Sequence, residues 1–229
     1  MRRPGGSKLE QLQRNGVSQE WKDVFKRGIF GLSIPLISIS YPILNQNRGN
    51  YNSLFTFVDE FIPFNKFFIL PYVSWYMFIV VFSAFLCVLD KQRYIKLLIT
   101  LNIGMITSYI IFYFYPTYVP RPIITRTDFF SNLVSSLYAV DKPYNCFPSI
   151  HVLDSVLIAM YTCRSEKVGK LIKVICGVMA VSIILSIMFI KQHYFADVIA
   201  GIIFACILYF SVENVKFNFD KDKNITYVE

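Results

Sequence analysis

The chain has 229 residues, 55% of them hydrophobic and 17% aromatic, with a net charge of +8. This excludes a water-soluble domain, because the polar residues collect in blocks between apolar runs instead of alternating with them. A nucleic-acid partner is excluded too, since the basic residues track the ends of the apolar runs, as topology signals do.

In chain order, residues 1–28 are a polar, basic segment with no signal-peptide cleavage pattern. Six spans are expected after it, at about 29–45, 67–89, 97–115, 149–163, 171–190 and 194–212, giving an all-α polytopic bundle. The first run, "IFGLSIPLISISYPILN", holds Pro35 and Pro42 and should be kinked. The loop after it predicts a short interfacial helix ended at Ile62 by Pro63. Its acidic pair, Asp59 and Glu60, either lines a pocket for an alcohol or is a solvated charge. In the second long loop Pro116, Pro120 and Pro122 forbid a helix, and "TDFFSNLVSSLYAV" then predicts a short amphipathic one capped by Thr127. The fourth span starts at "PSIH" and carries His151 and Asp154, so its first half must face protein or water. Residues 213–229 read as a solvated tail.

Charge sets the direction. With both termini in the cytoplasm, 17 of the 23 basic residues fall inside and six outside, in line with the positive-inside rule. The loop 116–148 and the turn 190–194 are then extracytoplasmic, at the outer face of the plasma membrane. Of the five cysteines only Cys146 lies well inside a loop, so neither a disulfide framework nor a zinc cluster is expected.

Those two outer segments lead to the only two histidines, His151 and His193. His193 and Asp197 are spaced i, i+4, so a carboxylate can hold one imidazole nitrogen and leave the other as a nucleophile. Lys191 lies at the same helix mouth. Ser149 is a good N-cap that sets His151 in the first turn, where free N–H groups favour an anion. Arg121, stiffened between two prolines, suits an oxyanion clamp. Each residue has a plain alternative: an interfacial histidine, an aspartate joining two helices, a lysine reaching to headgroups, and solvated loop charges at Arg126 and Lys142. For Asp154 the plain alternative is a structural pairing with a backbone group or with Ser155. The joint arrival of both histidines on one side, with a carboxylate, a capping serine and an arginine, outweighs these readings. Zinc could use the two histidines with Asp197 and Asp154, but the nearby basic residues favour an anionic occupant.

"PRP" at 120–122, "PSIH" at 148–151 and "KQHYFADVIAG" at 191–201 resemble the three signature segments of the type 2 phosphatidic acid phosphatase superfamily. The resemblance implies a phosphohistidine mechanism with no metal or other cofactor. It makes His193 the nucleophile, Asp197 its orienting carboxylate and His151 the proton donor to the leaving oxygen, with Arg121 and Ser149 on the phosphoryl oxygens. Two positions depart from the pattern: Phe114 stands where a lysine is usual and Ile187 where an arginine is usual. Lys191 is the expected substitute for that arginine and Arg126 for that lysine. These departures resemble the branch that contains inositol-phosphorylceramide synthase-like enzymes, whose "HY..D" core sphingomyelin synthases share. The expected function is hydrolysis of a lipid phosphomonoester or isoprenyl diphosphate. Headgroup transfer to an alcohol is the alternative, and a non-enzymatic lipid transporter or scaffold is the rival class. The expected partner is a phosphorylated lipid in the bilayer.

Overall fold

Where charge ends an apolar run the backbone turns, and between turns every long run is helical. The structure is a computed structural model that describes residues 8–215. Arg2, Arg3, Lys216, Lys221 and Lys223, which entered the charge asymmetry, and most of the tail 213–229 lie outside the described residues.

The long N-terminal helix α1 (Lys8–Phe30) is followed by two short pieces, α2 (Ser33–Ser38) and α3 (Tyr41–Leu44). The breaks follow from Pro35 and Pro42, which cannot donate to the carbonyls four residues back. The expected span 29–45 is therefore not one kinked helix. The stretch long and apolar enough to cross a membrane is Gln19–Leu44, interrupted by turns. Next come α4 (Phe57–Phe61), a 3-10 turn over Lys66–Phe68, and α5 (Ile69–Leu89). Then α6 (Lys91–Phe114) begins six residues earlier than hydropathy implies, because the Asp90 carboxylate accepts the Arg93 N–H and starts the helix inside the charged block. After the proline-rich loop, α7 (Phe129–Val140) is capped by Asp128, whose carboxylate accepts the Ser131 N–H at 3.2 Å; Thr127, the expected cap, lies one residue too early. The last three helices are α8 (Ile150–Arg164), α9 (Lys170–Phe189) and α10 (Phe195–Glu213), each within one residue of expectation.

The described residues are thus all-helical apart from isolated bridges, and five helical stretches have the length and composition of membrane spans. The exception among the long apolar segments is α8, which has 15 residues. At 1.5 Å per residue it extends about 22 Å, short of a bilayer core of about 30 Å. It is nevertheless the centre of the bundle, packed against α5, α6, α9 and α10. Val152, Leu153, Leu157, Ile158 and Tyr161 are fully buried there.

Two glycines make that packing possible. A Cβ on Gly104 of α6 would meet Leu153 Cδ2 at 2.7 Å, and one on Gly201 of α10 would meet the Ser149 carbonyl and Val152 Cβ, both at 2.9 Å. Small residues let membrane helices approach this closely. At the far end from the histidines, Glu213 pairs with Arg93 and Lys96, tying α10 to α6. Gly201→Ala should lower the thermal midpoint in detergent, by about 1–3 kcal/mol of overpacking, and lower activity by displacing the start of α8. Gly177→Ala, whose Cβ would meet nothing within 4 Å, is the control expected to behave as wild type.

Candidate active site

The site is built where α9 ends and α8 and α10 begin. Helix α9 stops in a Schellman arrangement: the Lys191 N–H donates to the Met188 carbonyl at 3.0 Å, and the Gln192 N–H to the Ile187 carbonyl at 2.8 Å. The residue that must turn left-handed is Lys191, with φ +55°. His193 follows in the turn, ahead of α10. It is not on α10 one turn above Asp197, as the i, i+4 spacing implies. The two meet because Asp197 lies in the first turn of α10, and its Oδ2 accepts the Tyr194 N–H at 2.9 Å. His193 Nδ1 is 3.4 Å from that same Oδ2, a loose contact with no hydrogen bond. His193 is buried to 8% exposure and Asp197 to 1%.

His151, in the first turn of α8, has its ring 5.7 Å from that of His193, centroid to centroid. Trp75 and Tyr72 of α5 lie against it at 4.4 and 5.0 Å. Both histidines face a cavity of about 370 Å³, whose wall includes Tyr72, Trp75, Asn45 and Asp141. Ser149 caps α8, its Oγ accepting the Val152 N–H at 3.4 Å, while its own N–H donates to the Asp197 carbonyl at 3.2 Å.

Arg121 reaches this turn from the proline-rich loop. Its Nη1 donates to the Lys191 carbonyl, and its guanidinium lies 5.2 Å from the centre of the Tyr138 ring. The Tyr138 hydroxyl donates to the neighbouring Ile190 carbonyl at 2.5 Å, so α7 braces the same turn. Arg121 Nε is buried without a partner among the described residues, leaving donor capacity for an oxyanion. The charge is felt at His193. Burial, then the Arg121 guanidinium, pull the His193 pKa down to about 4, against opposing pulls from Asp141 and the Cys146 carbonyl. The imidazole is therefore neutral at pH 7.

Two expected cations are elsewhere. The Lys191 ammonium donates to the carbonyls of Ile62 and Asp59, the latter at 3.3 Å. It is thus bound to the first outer loop and is not in the cavity wall. The left-handed turn is the reason: it sends the side chain away from the histidines while its carbonyl faces Arg121. Arg126 is exposed on the loop before α7; like Arg121 and Ser149, it is absent from the wall. Asp59 is not in the wall of this cavity. Its Oδ2 accepts the Thr56 N–H and hydroxyl at 2.8 and 2.7 Å, its Oδ1 the Phe195 N–H at 2.8 Å, so one carboxylate caps both α4 and α10. Glu60 is exposed. Asp154 is buried on α8, and among the described residues its Oδ1 and the neighbouring Ser155 hydroxyl have no partner. Among the described residues, no group of three or more His, Cys, Asp or Glu side chains is placed to hold a metal ion.

Sequence reasoning missed Asn45 and Asp141. Asp141 Oδ1 accepts from the Tyr41 hydroxyl and Asn45 Nδ2, both at 2.9 Å, and its Oδ2 from the Tyr72 hydroxyl at 3.3 Å. Neither residue stands in a recognisable spacing, since one ends a short helix and the other follows one.

The apolar helices define a membrane protein. Its family is defined as well: the model described as the PAP2 superfamily matches residues 51–211, more than two thirds of the chain, and the chain belongs to the type 2 phosphatidic acid phosphatase superfamily. Membership carries phosphatase-type chemistry on lipid phosphoesters, in hydrolysis or in transfer. No curated protein and no solved structure matches the chain.

The contrast between Arg121 and Lys191 is testable. Arg121→Ala should cut turnover by about 10²–10³-fold, the usual cost of a lost oxyanion donor, and weaken inhibition by vanadate in parallel. Lys191→Ala should cost less than about tenfold and leave vanadate inhibition unchanged. Lys191→Gly should melt above Lys191→Ala, because glycine avoids a left-handed penalty of about 1–2 kcal/mol.

Proposed function

We propose that this protein is a metal-independent lipid phosphatase that works through a phosphohistidine at the outer face of the plasma membrane. One observation carries the reading: the only two histidines face one cavity with rings 5.7 Å apart, and a buried carboxylate stands 3.4 Å from Nδ1 of one of them. In this scheme neutral His193 attacks phosphorus through its remaining nitrogen, and the P–O bond to the lipid alcohol or phosphate breaks. Asp197 offsets the positive charge that forms on the ring, and Arg121 neutralises charge on the phosphoryl oxygens. His151 gives its proton to the leaving oxygen. It then takes one from the water that attacks the phosphohistidine, releasing inorganic phosphate and restoring His193. The substrate class is a lipid phosphomonoester or isoprenyl diphosphate.

We place six crossings with both termini in the cytoplasm, the short α8 being the fourth. Support comes from the charge asymmetry and from the position of α8 inside the bundle. Helices α4 and α7 are assigned to the outer interface, since Phe57, Phe61 and Phe129 expose 74%, 77% and 67% of their surface, as membrane-interface side chains do. Transfer of the phosphoryl group to an alcohol is the second reading. It is favoured by the cavity, whose 370 Å³ exceeds the roughly 30 Å³ a single water needs.

The purified protein should release phosphate from phosphatidic acid in excess EDTA, and His193→Asn should reduce release to background. A strict requirement for added divalent metal would overturn the mechanism. In oxygen-18 water, labelled phosphate identifies hydrolysis, and an unlabelled phosphodiester as main product identifies transfer. The acid limb of kcat/KM should lie near pH 4, well below the ordinary histidine value of about 6.5. The sign follows from the depressed pKa: the nucleophile stays neutral as pH falls until about 4, and activity is lost only below that.

A further inference from the structure

One part of the cavity wall presents two buried hydrogen-bond acceptors, the Asp141 carboxylate and the Asn45 amide oxygen. Asp141 is held by three neutral donors from two directions: the Tyr41 hydroxyl and Asn45 amide at the end of α3, and the Tyr72 hydroxyl on α5. Its Oδ1 takes two of these bonds, so the open lone pair belongs to Oδ2. Asn45, 4% exposed, directs Nδ2 at both Asp141 and the Tyr41 hydroxyl, the latter at 3.2 Å. That leaves its Oδ1 buried without a partner among the described residues. Flipping the amide is no remedy, because it sets oxygen against carboxylate.

A buried acceptor is costly to leave unmade, and a carboxylate near a phosphoryl centre repels the anion. Neither feature serves phosphate binding. Both serve a ligand that brings O–H hydrogens. The surrounding wall is aromatic, with Tyr109, Phe112 and Trp75, and offers no further charge to such a ligand except Lys142 at the exposed edge. Asp141 is also within electrostatic reach of His193.

We propose that Asp141 and Asn45 form the acceptor subsite, binding the non-reacting O–H of the water or polyol that attacks the phosphohistidine. This inference rests on the phosphohistidine reading above and adds to it the position of the second substrate. The acceptor donates one O–H to Asp141 Oδ2 or Asn45 Oδ1. It transfers its reacting proton to His151 as its oxygen bonds to phosphorus and the P–N bond to His193 breaks. A water places its second O–H on one of these acceptors, and a polyol a second hydroxyl, with its carbon chain on the aromatic wall. Asp141 acts in the second half of the cycle and is dispensable for the first.

The test separates the two halves. Protein in detergent is mixed with phosphorus-32-labelled dioctanoyl phosphatidic acid and quenched in alkali, where phosphohistidine survives, to time its formation and decay. In Asp141→Asn, formation should stay within about twofold of wild type, decay should slow at least tenfold, and the labelled enzyme should accumulate. Tyr72→Phe, which removes one donor to Oδ2 and keeps the ring, guards against a folding defect and should shift decay without changing formation. Repeating the decay with glycerol present identifies the source of the hydroxyl. The ratio of glycerol phosphate to inorganic phosphate should change in Asp141→Asn relative to wild type. Wild-type decay in Asp141→Asn, or equal slowing of formation and decay in both variants, overturns the subsite while leaving the phosphohistidine intact. Failure of wild type to form any His193-dependent labelled enzyme overturns the phosphohistidine reading and the subsite with it.

Discussion

The site depends on one backbone hydrogen bond, from the Ser149 N–H to the Asp197 carbonyl. It joins the first turns of α8 and α10, each of which carries or adjoins one histidine. The bond can form only because α10 presents a glycine to α8 one turn further on: Gly201 lets the Ser149 carbonyl come within what a methyl group would occupy. Fixing two helix starts together fixes the side chains of their first turns, with no need for the histidines to touch.

Around that joint, carboxylates act as fasteners more than as reagents. Asp59 caps two helices, Asp90 starts α6 and accepts from the Ser165 hydroxyl at 2.6 Å, and Asp128 caps α7 and pairs with Lys66. In a chain that exposes many large apolar side chains on its helices, capping bonds supply order at the loops. Asp197 is also a fastener, and the oxygen that accepts the Tyr194 N–H is the one that faces His193.

Hydropathy located α5, α6, α8, α9 and α10 but not α1, which lies in the segment read as polar and basic, and the pairing of two lone histidines with a nearby carboxylate marked the candidate site. What it missed has physical causes. The start of α6 depends on a cap and not on apolarity. The division of the first span depends on which carbonyls lose their donors. The direction of Lys191 depends on a left-handed residue that no spacing rule registers, because counting along a helix presumes that the helix continues. Asp141 and Asn45 come together only through the fold, across 96 residues, and each looks like an ordinary turn residue alone.

The left-handed turn at Lys191 also bears on how this site can change over generations. Arg121 is held there by a main-chain carbonyl, a partner that every amino acid provides. Substitution at residue 191 therefore leaves the arginine's anchor in place wherever the new side chain tolerates positive φ, as glycine and asparagine do. The contact is maintained by shape and is silent in any comparison of side chains. A family can keep the same arginine in the same place while residue 191 drifts, and pairs of positions that vary together will not reveal the link.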